Sequence, residues 1–186
     1  MDNWCKNYEE NVSGGRMRYD RGDDIENFVK NTINMFNKIY KVNVYAIKGI
    51  NDKKKLVLHH KDKIIHKYHQ VDIHIYKEDQ FIAVIECKSY LDSCYYVRSC
   101  DDFILFKKFG YNVKNYIFSL EDSIDENTKL FTDAVKDNIC DDIFYMLDGK
   151  RSSSKPVYDK KYKKTLNKEN LSYLIKTLQQ LLISNI

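Results

Sequence analysis

The feature that most constrains the fold is an uninterrupted apolar run at residues 81–85 (FIAVI), which ends abruptly in Glu86, Cys87 and Lys88. Surface strands alternate apolar and polar residues, whereas a strand covered on both faces is continuously apolar. The run therefore predicts a central strand of a sheet. Charges at the end of a buried strand need a physical reason, because an unpaired buried charge is costly.

A second strand is predicted immediately before this one. Residues 70–76 (QVDIHIY) alternate in polarity, and the polar residues 77–80 form a turn of hairpin length. Side chains alternate along a strand, so Glu86 and Lys88 share one face. Antiparallel pairing across the turn sets Asp72 beside one of them. The sequence thus predicts three charged groups at one end of an apolar hairpin.

The remaining patterns indicate a single domain of about the size that one core supports. The predicted helices span residues 23–40, 95–109, 127–139 and 168–183, and the predicted strands span 42–47, 56–58, 70–76, 81–88, 113–120 and 143–147. This order, α-β-β-β-β-α-β-α-β-α, indicates an α/β fold with a mixed central β-sheet flanked by helices. We divide the chain into a polar, flexible lead-in (1–22), a core (23–147), a basic loop (148–166) and a C-terminal helix (167–186).

Composition favours a cytoplasmic protein. The apolar runs fall far short of the ~20 residues that a bilayer span needs, and the N-terminus has no apolar signal-peptide core. Five cysteines, with no C-x-x-C pair, favour reduced and mostly buried thiols over a disulfide framework. The five histidines crowd into residues 59–74, but no cysteine has a spacing that suits a zinc site.

The three charged groups have a coherent chemical use. Two neighbouring carboxylates in a partly dry site repel each other unless a cation neutralises them. Mg²⁺ suits Asp72 and Glu86, because it takes a few carboxylate oxygens together with water and phosphate. Such a metal acidifies a bound water, and Lys88 can orient that water. The alternative is a structural salt bridge, since D-x(13)-E-x-K arises easily by chance among 27 acidic and 31 basic residues.

These residues also resemble a known family. Val71-Asp72 followed by residues 85–88 (IECK) resembles the split signature of the PD-(D/E)xK nuclease superfamily. Residues 89–92 (SYLD) resemble the continuation of that strand in several Type II restriction endonucleases. Val71 replaces the proline of the motif's name, at a variable position. The predicted α-β-β-β-α-β order over residues 23–119 resembles the restriction-endonuclease-like core.

The resemblance implies roles for the site residues. Asp72 and Glu86 are implied as metal ligands, with the Cys87 carbonyl as a third ligand and Lys88 as the residue that positions water. The implied cofactor is Mg²⁺, with Mn²⁺ as a substitute.

An acidic residue on the first helix, here Glu26, is implied as an outer or second-metal ligand. Glu26 has a second interpretation, because Asp23 three residues earlier resembles the first residue of a capping box.

The resemblance further implies a Type II restriction endonuclease that hydrolyses double-stranded DNA with Mg²⁺. One small subunit cuts one strand, so a homodimer would read a palindrome. Unlike subunits or a nicking role remain open, as does a resolvase or repair nuclease on the same core. The non-enzymatic alternative is a DNA-binding protein with an inert site.

The basic loop is the predicted DNA contact, because a nuclease holds phosphates mainly with lysine and arginine. The candidate residues are Lys150, Arg151, Ser152, Ser153, Ser154, Lys155, Tyr158, Lys160, Lys161, Lys163 and Lys164. The alternative is a solvated loop, as most charge runs are. Arg16, Arg18 and Arg21 form a second, smaller basic group.

Overall fold

The computed structural model describes the backbone of residues 14–152 and 164–183, and within these ranges the side chains from residue 22 onward. The elements in chain order are α1 (Gly14–Tyr40), β1 (Val44–Lys48), β2 (Lys54–His60), β3 (Lys63–His69), β4 (Ile73–Lys77), β5 (Gln80–Asp92), α2 (Ser93–Lys108), β6 (Lys114–Ser123), α3 (Glu126–Val135), β7 (Asp142–Tyr145) and α4 (Lys168–Ile183). Of the predicted DNA contacts, residues 153–163 lie outside the described residues.

Five strands form one mixed sheet in the order β1-β4-β5-β6-β7, which confirms the predicted α/β class. The pairs β1/β4 and β4/β5 are antiparallel, whereas β5/β6 and β6/β7 are parallel. The parallel pairs follow from the helical connections α2 and α3, since parallel neighbours need a crossover. None of the helices in the described ranges has the length and apolarity that a membrane crossing requires.

The sheet separates two apolar layers, and β5 contributes to both. Ala83 and Ile85 pack into the layer formed with α1 and α4, while Val84 packs into the layer formed with α2. All three side chains are fully buried. The prediction of a strand covered on both faces is therefore confirmed.

The β4–β5 turn is tighter than the four-residue turn predicted over residues 77–80. Lys77 pairs with Gln80, so only Glu78 and Asp79 lie between the strands. Both have positive φ, 50° and 62°, as a type I′ turn requires. This turn sets the pairing of Tyr76 with Phe81, and a one-residue register shift between Ile75 and Tyr76 then places Ile73 opposite Ile85.

The N-terminal prediction is wrong for the residues that can be compared. Helix α1 begins at Gly14, so residues 14–22 are helical and do not belong to a flexible lead-in. Asp23 and Glu26 therefore lie inside the helix, where backbone N–H groups already bond to preceding carbonyls and no capping box is needed. The Asp23 carboxylate instead accepts a hydrogen bond from the Asn27 side chain at 2.9 Å.

The connection from β1 to β4 contains a second sheet, of two strands, that was only half predicted. The short apolar piece at 56–58 is the centre of β2, and β2 pairs with β3 from Lys54↔His69 to His60↔Lys63. The sequence of β3 (KIIHKYH) does not alternate in polarity and is almost wholly exposed, so periodicity gave no reason to predict it.

The main ladder stops at one edge of the sheet. β1 ends at Lys48, and Lys48 pairs with Ile73, the first residue of β4. Beyond that point β5 continues to Asp92 beside β6 alone. The predicted site residues lie where the β4–β5 ladder ends.

A close backbone approach fixes the chain before β4. The Gly49 N–H donates to the Asp72 carbonyl at 2.8 Å, and a Cβ on Gly49 would lie 1.8 Å from the Val71 carbonyl oxygen. The Val71 carbonyl oxygen is a backbone atom, and it cannot move aside as the end of a flexible side chain can. Glycine at this position thus allows Asp72 its place.

We expect Gly49→Ala to lower the free energy of unfolding by about 2 kcal/mol or more, because the clash forces the two backbone segments apart. Gly22→Ala is the matched control: its Cβ would meet nothing within 4 Å. In a helix interior this change should stabilise by about 0.5–1 kcal/mol. Urea unfolding of both variants measures the difference, and equal stabilities would contradict the assignment of Gly49.

Candidate active site

Asp72 is held beside the end of β5 by backbone contacts. Its Oδ2 accepts a hydrogen bond from the Cys87 N–H at 2.8 Å, and its own N–H lies 3.4 Å from Glu86 Oε2. The Asp72 side chain thus takes a ladder position that β4, beginning one residue later, leaves vacant. The end of the strand is what places this carboxylate next to Glu86.

Lys88 joins the two carboxylates. Its Nζ donates a hydrogen bond to Glu86 Oε1 and lies 3.5 Å from Asp72 Oδ2. The exposed fractions of the side chains are 12% for Glu86, 20% for Lys88 and 29% for Asp72. The structure therefore brings the three predicted residues together in a half-buried cluster with an excess of negative charge.

The surroundings disfavour a second negative charge. Burial, followed by the charge of Asp72, raises the pKa of Glu86 to about 7, although Lys88 opposes this shift. Burial alone would lower the pKa of Lys88, but the charges of Glu86 and Asp72 outweigh it and hold that pKa above its usual value. The cluster has one cationic side chain for two carboxylates, so its charge allows it to bind a second cation.

Glu26 faces the same cluster from α1. A pocket of about 320 Å³ lies between the helix and the chain before β4. Its lining residues are Gly22, Asp23, Glu26, Lys48, Ile50, Gln70 and Asp72. Burial and the charge of Asp72 raise the pKa of Glu26, while Lys48, with Nζ 3.4 Å from Glu26 Oε2, lowers it. The interpretation of Glu26 as a helix cap is thus replaced by a position on the pocket wall.

Sequence reasoning gave two further residues, Lys48 and His74, no role in this site. Lys48 ends β1 and contacts both Asp23 and Glu26. His74 is fully buried: its Nε2 accepts the Val71 N–H at 3.3 Å, and its Nδ1 lies 2.9 Å from Asp52 Oδ2. Burial lowers the pKa of His74, which suits a neutral ring that anchors the residue before Asp72. A lysine or histidine in a strand is too common for its spacing alone to reveal such roles.

The donor set suits Mg²⁺. Asp72 and Glu86 offer hard carboxylate oxygens, and Mg²⁺ needs only one or two of these beside water and phosphate. The N–H and C=O of one strand residue point to the same neighbour, so the Cys87 carbonyl lies on the edge where its N–H meets Asp72. Burial raises the pKa of the Cys87 thiol well above its usual range, so the sulfur is neutral and a poor ligand. A metal here would use two carboxylates and a backbone oxygen. Among the side chains of residues 22–152 and 164–183, no group of three or more His, Cys, Asp or Glu is arranged to hold a metal.

The described ends of the basic loop differ in what they offer to DNA. Lys164 is committed internally, because its Nζ lies 2.7 Å from Glu121 Oε1 and donates to the Lys150 carbonyl at 2.8 Å. The structure gives Lys164 a structural role, and its predicted DNA contact stays a prediction. The exposed Arg151 lies with its guanidinium 3.6 Å above the ring of Tyr90, two residues beyond Lys88 on β5.

The two other predicted contacts within the described residues have different surroundings. Lys150 is exposed, and its Nζ donates to the Ile124 carbonyl at 3.4 Å. Ser152 is half-buried.

Cys87 and Cys100 are buried, as predicted for most cysteines, whereas Cys94 is exposed.

No protein-family model matches the chain, and no curated protein matches it either.

We expect the stability of the metal-free protein to fall with pH through Glu86. A group whose pKa is raised on folding contributes stability that is fully present below its unfolded pKa, here 4.5, and lost as the pH rises through its folded pKa, about 7. Glu86→Gln should therefore stabilise the protein in EDTA at pH 8, by about 3 kcal/mol at most, and much less at pH 5. Urea unfolding at the two pH values measures this.

Mg²⁺ provides a second readout of the same variant. At pH 8 it should stabilise the parent by binding the folded state and should have little effect on Glu86→Gln. Glu78→Gln, at the exposed turn of the same hairpin, is the control and should respond as the parent does. If the parent and Glu86→Gln differed by the same free energy of unfolding at pH 5 and at pH 8, the electrostatic assignment of Glu86 would be contradicted.

Proposed function

We propose that this chain is a Mg²⁺-dependent DNA endonuclease of the PD-(D/E)xK type, acting on double-stranded DNA as a Type II restriction endonuclease. The observation that carries the proposal is the meeting of Asp72, Glu86 and Lys88 at the end of the β4–β5 ladder. A salt bridge that served only structure would need one carboxylate for one lysine. The second carboxylate, which costs the site repulsion, has a use if a metal is bound.

The order of elements supports the finer fold proposal, a restriction-endonuclease-like core. If the two-stranded sheet is taken as an insertion, the chain runs α1-β1-β4-β5-α2-β6, which is the α-β-β-β-α-β order of that core. Strands β1, β4, β5 and β6 are also neighbours in this sequence within the sheet.

The residues have distinct proposed roles. Asp72, Glu86 and the Cys87 carbonyl would hold Mg²⁺, which when bound supplies an acidified water and neutralises charge on the phosphodiester. Lys88 would orient the attacking water or pair with the scissile phosphate. Glu26 would act as an outer or second-metal ligand from the opposite pocket wall, with Lys48 offsetting its charge.

DNA would be held beside this edge of the sheet. Arg151 is positioned near the carboxyl end of β5 by its N–H, which donates to the Asp122 carbonyl at 2.6 Å, and it is an exposed cation for a phosphate. Lys150 and Ser152 extend this proposed surface, and the predicted DNA contacts in residues 153–163 stay a prediction from the sequence. We further propose that the protein is a homodimer, because one active site cuts one strand of the duplex. We also propose a cytoplasmic location.

The deciding experiment is incubation of the purified chain with plasmid and phage DNA in Mg²⁺, in Mn²⁺ and in EDTA. Discrete fragments that require the metal would support restriction. Cleavage confined to four-way junctions, or nicking alone, would retain the nuclease and reject the Type II assignment. An absence of cleavage with every metal and substrate, with DNA binding retained, would favour an inert binding protein.

We expect Asp72→Ala, Glu86→Ala and Lys88→Ala each to reduce cleavage by roughly 100-fold or more while largely sparing DNA affinity, because these side chains act on the reacting phosphate and the metal. Cleavage rates and Kd in Ca²⁺ or EDTA separate the two effects. The control Glu78→Gln should cut at the parent rate. Near-parent activity of Glu86→Ala would overturn the site assignment.

Glu26 has its own test. Glu26→Gln removes a charge from the pocket wall and should reduce cleavage roughly tenfold, with a greater loss at low Mg²⁺, as expected of an outer metal ligand. Asp24→Asn changes an exposed carboxylate on the same helix and should leave the rate and its metal dependence unchanged. If both variants behaved alike, Glu26 would have no part in metal binding.

A further inference from the structure

The two-stranded sheet of β2 and β3, hereafter the ribbon, is exposed over most of its length. Leu56 and His69 are the buried residues within its strands. Seven residues per strand give an arm of about 23 Å at ~3.3 Å per residue. A ribbon of two strands has marginal stability alone, so its exposed surface calls for a functional explanation.

The ribbon leaves the sheet at the edge that carries the site. Residues 49–53 and 70–72 connect the last residue pair of the main ladder, Lys48↔Ile73, to the first residue pair of the ribbon, Lys54↔His69. Gln70, between β3 and β4, lines the pocket together with Asp72. The arm thus projects from the neighbourhood of the metal-binding carboxylates.

The base of the ribbon is anchored on the main body. His69 Nε2 lies 3.0 Å from the Asp102 carbonyl of α2. Lys54 Nζ lies 3.0 Å from Asp52 and also bonds to the Tyr76 hydroxyl. The direction of the arm is therefore set by contacts with the domain.

Beyond this base the ribbon is strongly basic. It carries four exposed lysines and three exposed histidines against one aspartate, Asp62. The lysines are Lys55, Lys61, Lys63 and Lys67, and none of them forms an ion pair within the parts of the chain that the structure describes. Exposed apolar side chains lie among these charges, and three of them, Val57, Ile64 and Tyr68, share one face of the ribbon.

We propose that the ribbon is a DNA-binding arm that lies in the major groove of the duplex on which the site acts. This inference rests on the proposed function. The major groove, about 12 Å wide, admits a two-stranded ribbon. Lysines of the ribbon would contact phosphates, while Val57, Ile64 and Tyr68, which share one face of the ribbon, would contact base edges and thymine methyl groups.

The charge distribution favours DNA over a second copy of the chain. Two such arms would repel each other, since each has four exposed lysines against one aspartate. Lysines on an exposed strand edge also oppose pairing with another strand. The same charges attract a polyanion.

The test compares duplex affinity of two triple variants of the full chain in EDTA, by anisotropy with a labelled 25-base-pair duplex over a series of salt concentrations. Replacing Lys55, Lys63 and Lys67 by Gln should weaken binding roughly tenfold and lower the salt slope by about 3, one for each lost phosphate contact. Replacing the same three by Arg should retain both. The control replaces Lys38, Lys108 and Lys176, exposed lysines of α1, α2 and α4, by Gln and should bind as the parent does.

Three outcomes would overturn the proposal. Equal affinity and slope for the ribbon and control variants would show that the arm does not touch DNA. A ribbon variant that changed oligomeric state in size-exclusion chromatography, with unchanged affinity per subunit, would assign the arm to contacts between copies. Failure of the parent to bind duplex would reject the arm's DNA role. Because cleavage is assayed separately, metal-dependent cutting by the parent would still support the proposed nuclease in the first two cases.

Discussion

The bridge from Lys88 to Glu86 and Asp72 is the interaction on which the arrangement of the site depends. Two carboxylates at the end of a buried strand repel each other, and a single ammonium offsets only part of that repulsion. The backbone supplies the rest of the restraint. The Cys87 N–H holds the Asp72 carboxylate, and Gly49 allows the segment after β1 to approach the backbone of Val71, the residue before Asp72. Strand pairing, loop packing and electrostatics converge on one point.

Much of the fold could be predicted because its strongest local patterns agree with its tertiary contacts. The run at 81–85 is apolar on both faces because β5 is the central strand between two layers. The same run fixed the hairpin that brings Asp72 to Glu86, since a polar turn and an alternating strand precede it. Helix α4 also matches the helix predicted over residues 168–183, because its buried leucines recur at helical spacing.

What could not be predicted depends on contacts between distant residues. Nothing local distinguishes Glu26 as a helix cap from Glu26 on a pocket wall, because the answer depends on where α1 begins and on Lys48 of β1. Lys164 read as a free cation because its partner, Glu121, lies on a distant strand. Strand β3 has no periodicity of its own and is recognised only through its pairing with β2.

The two ends of the ribbon enter and leave the sheet side by side, at Lys54 and His69. A segment whose ends already lie together can be lengthened, shortened or exchanged at little entropic cost to the rest of the fold. The registers of β1, β4 and β5, and with them the spacing of the carboxylates, do not depend on how far the arm extends. The length of the arm and the geometry of the carboxylates can therefore change independently of each other.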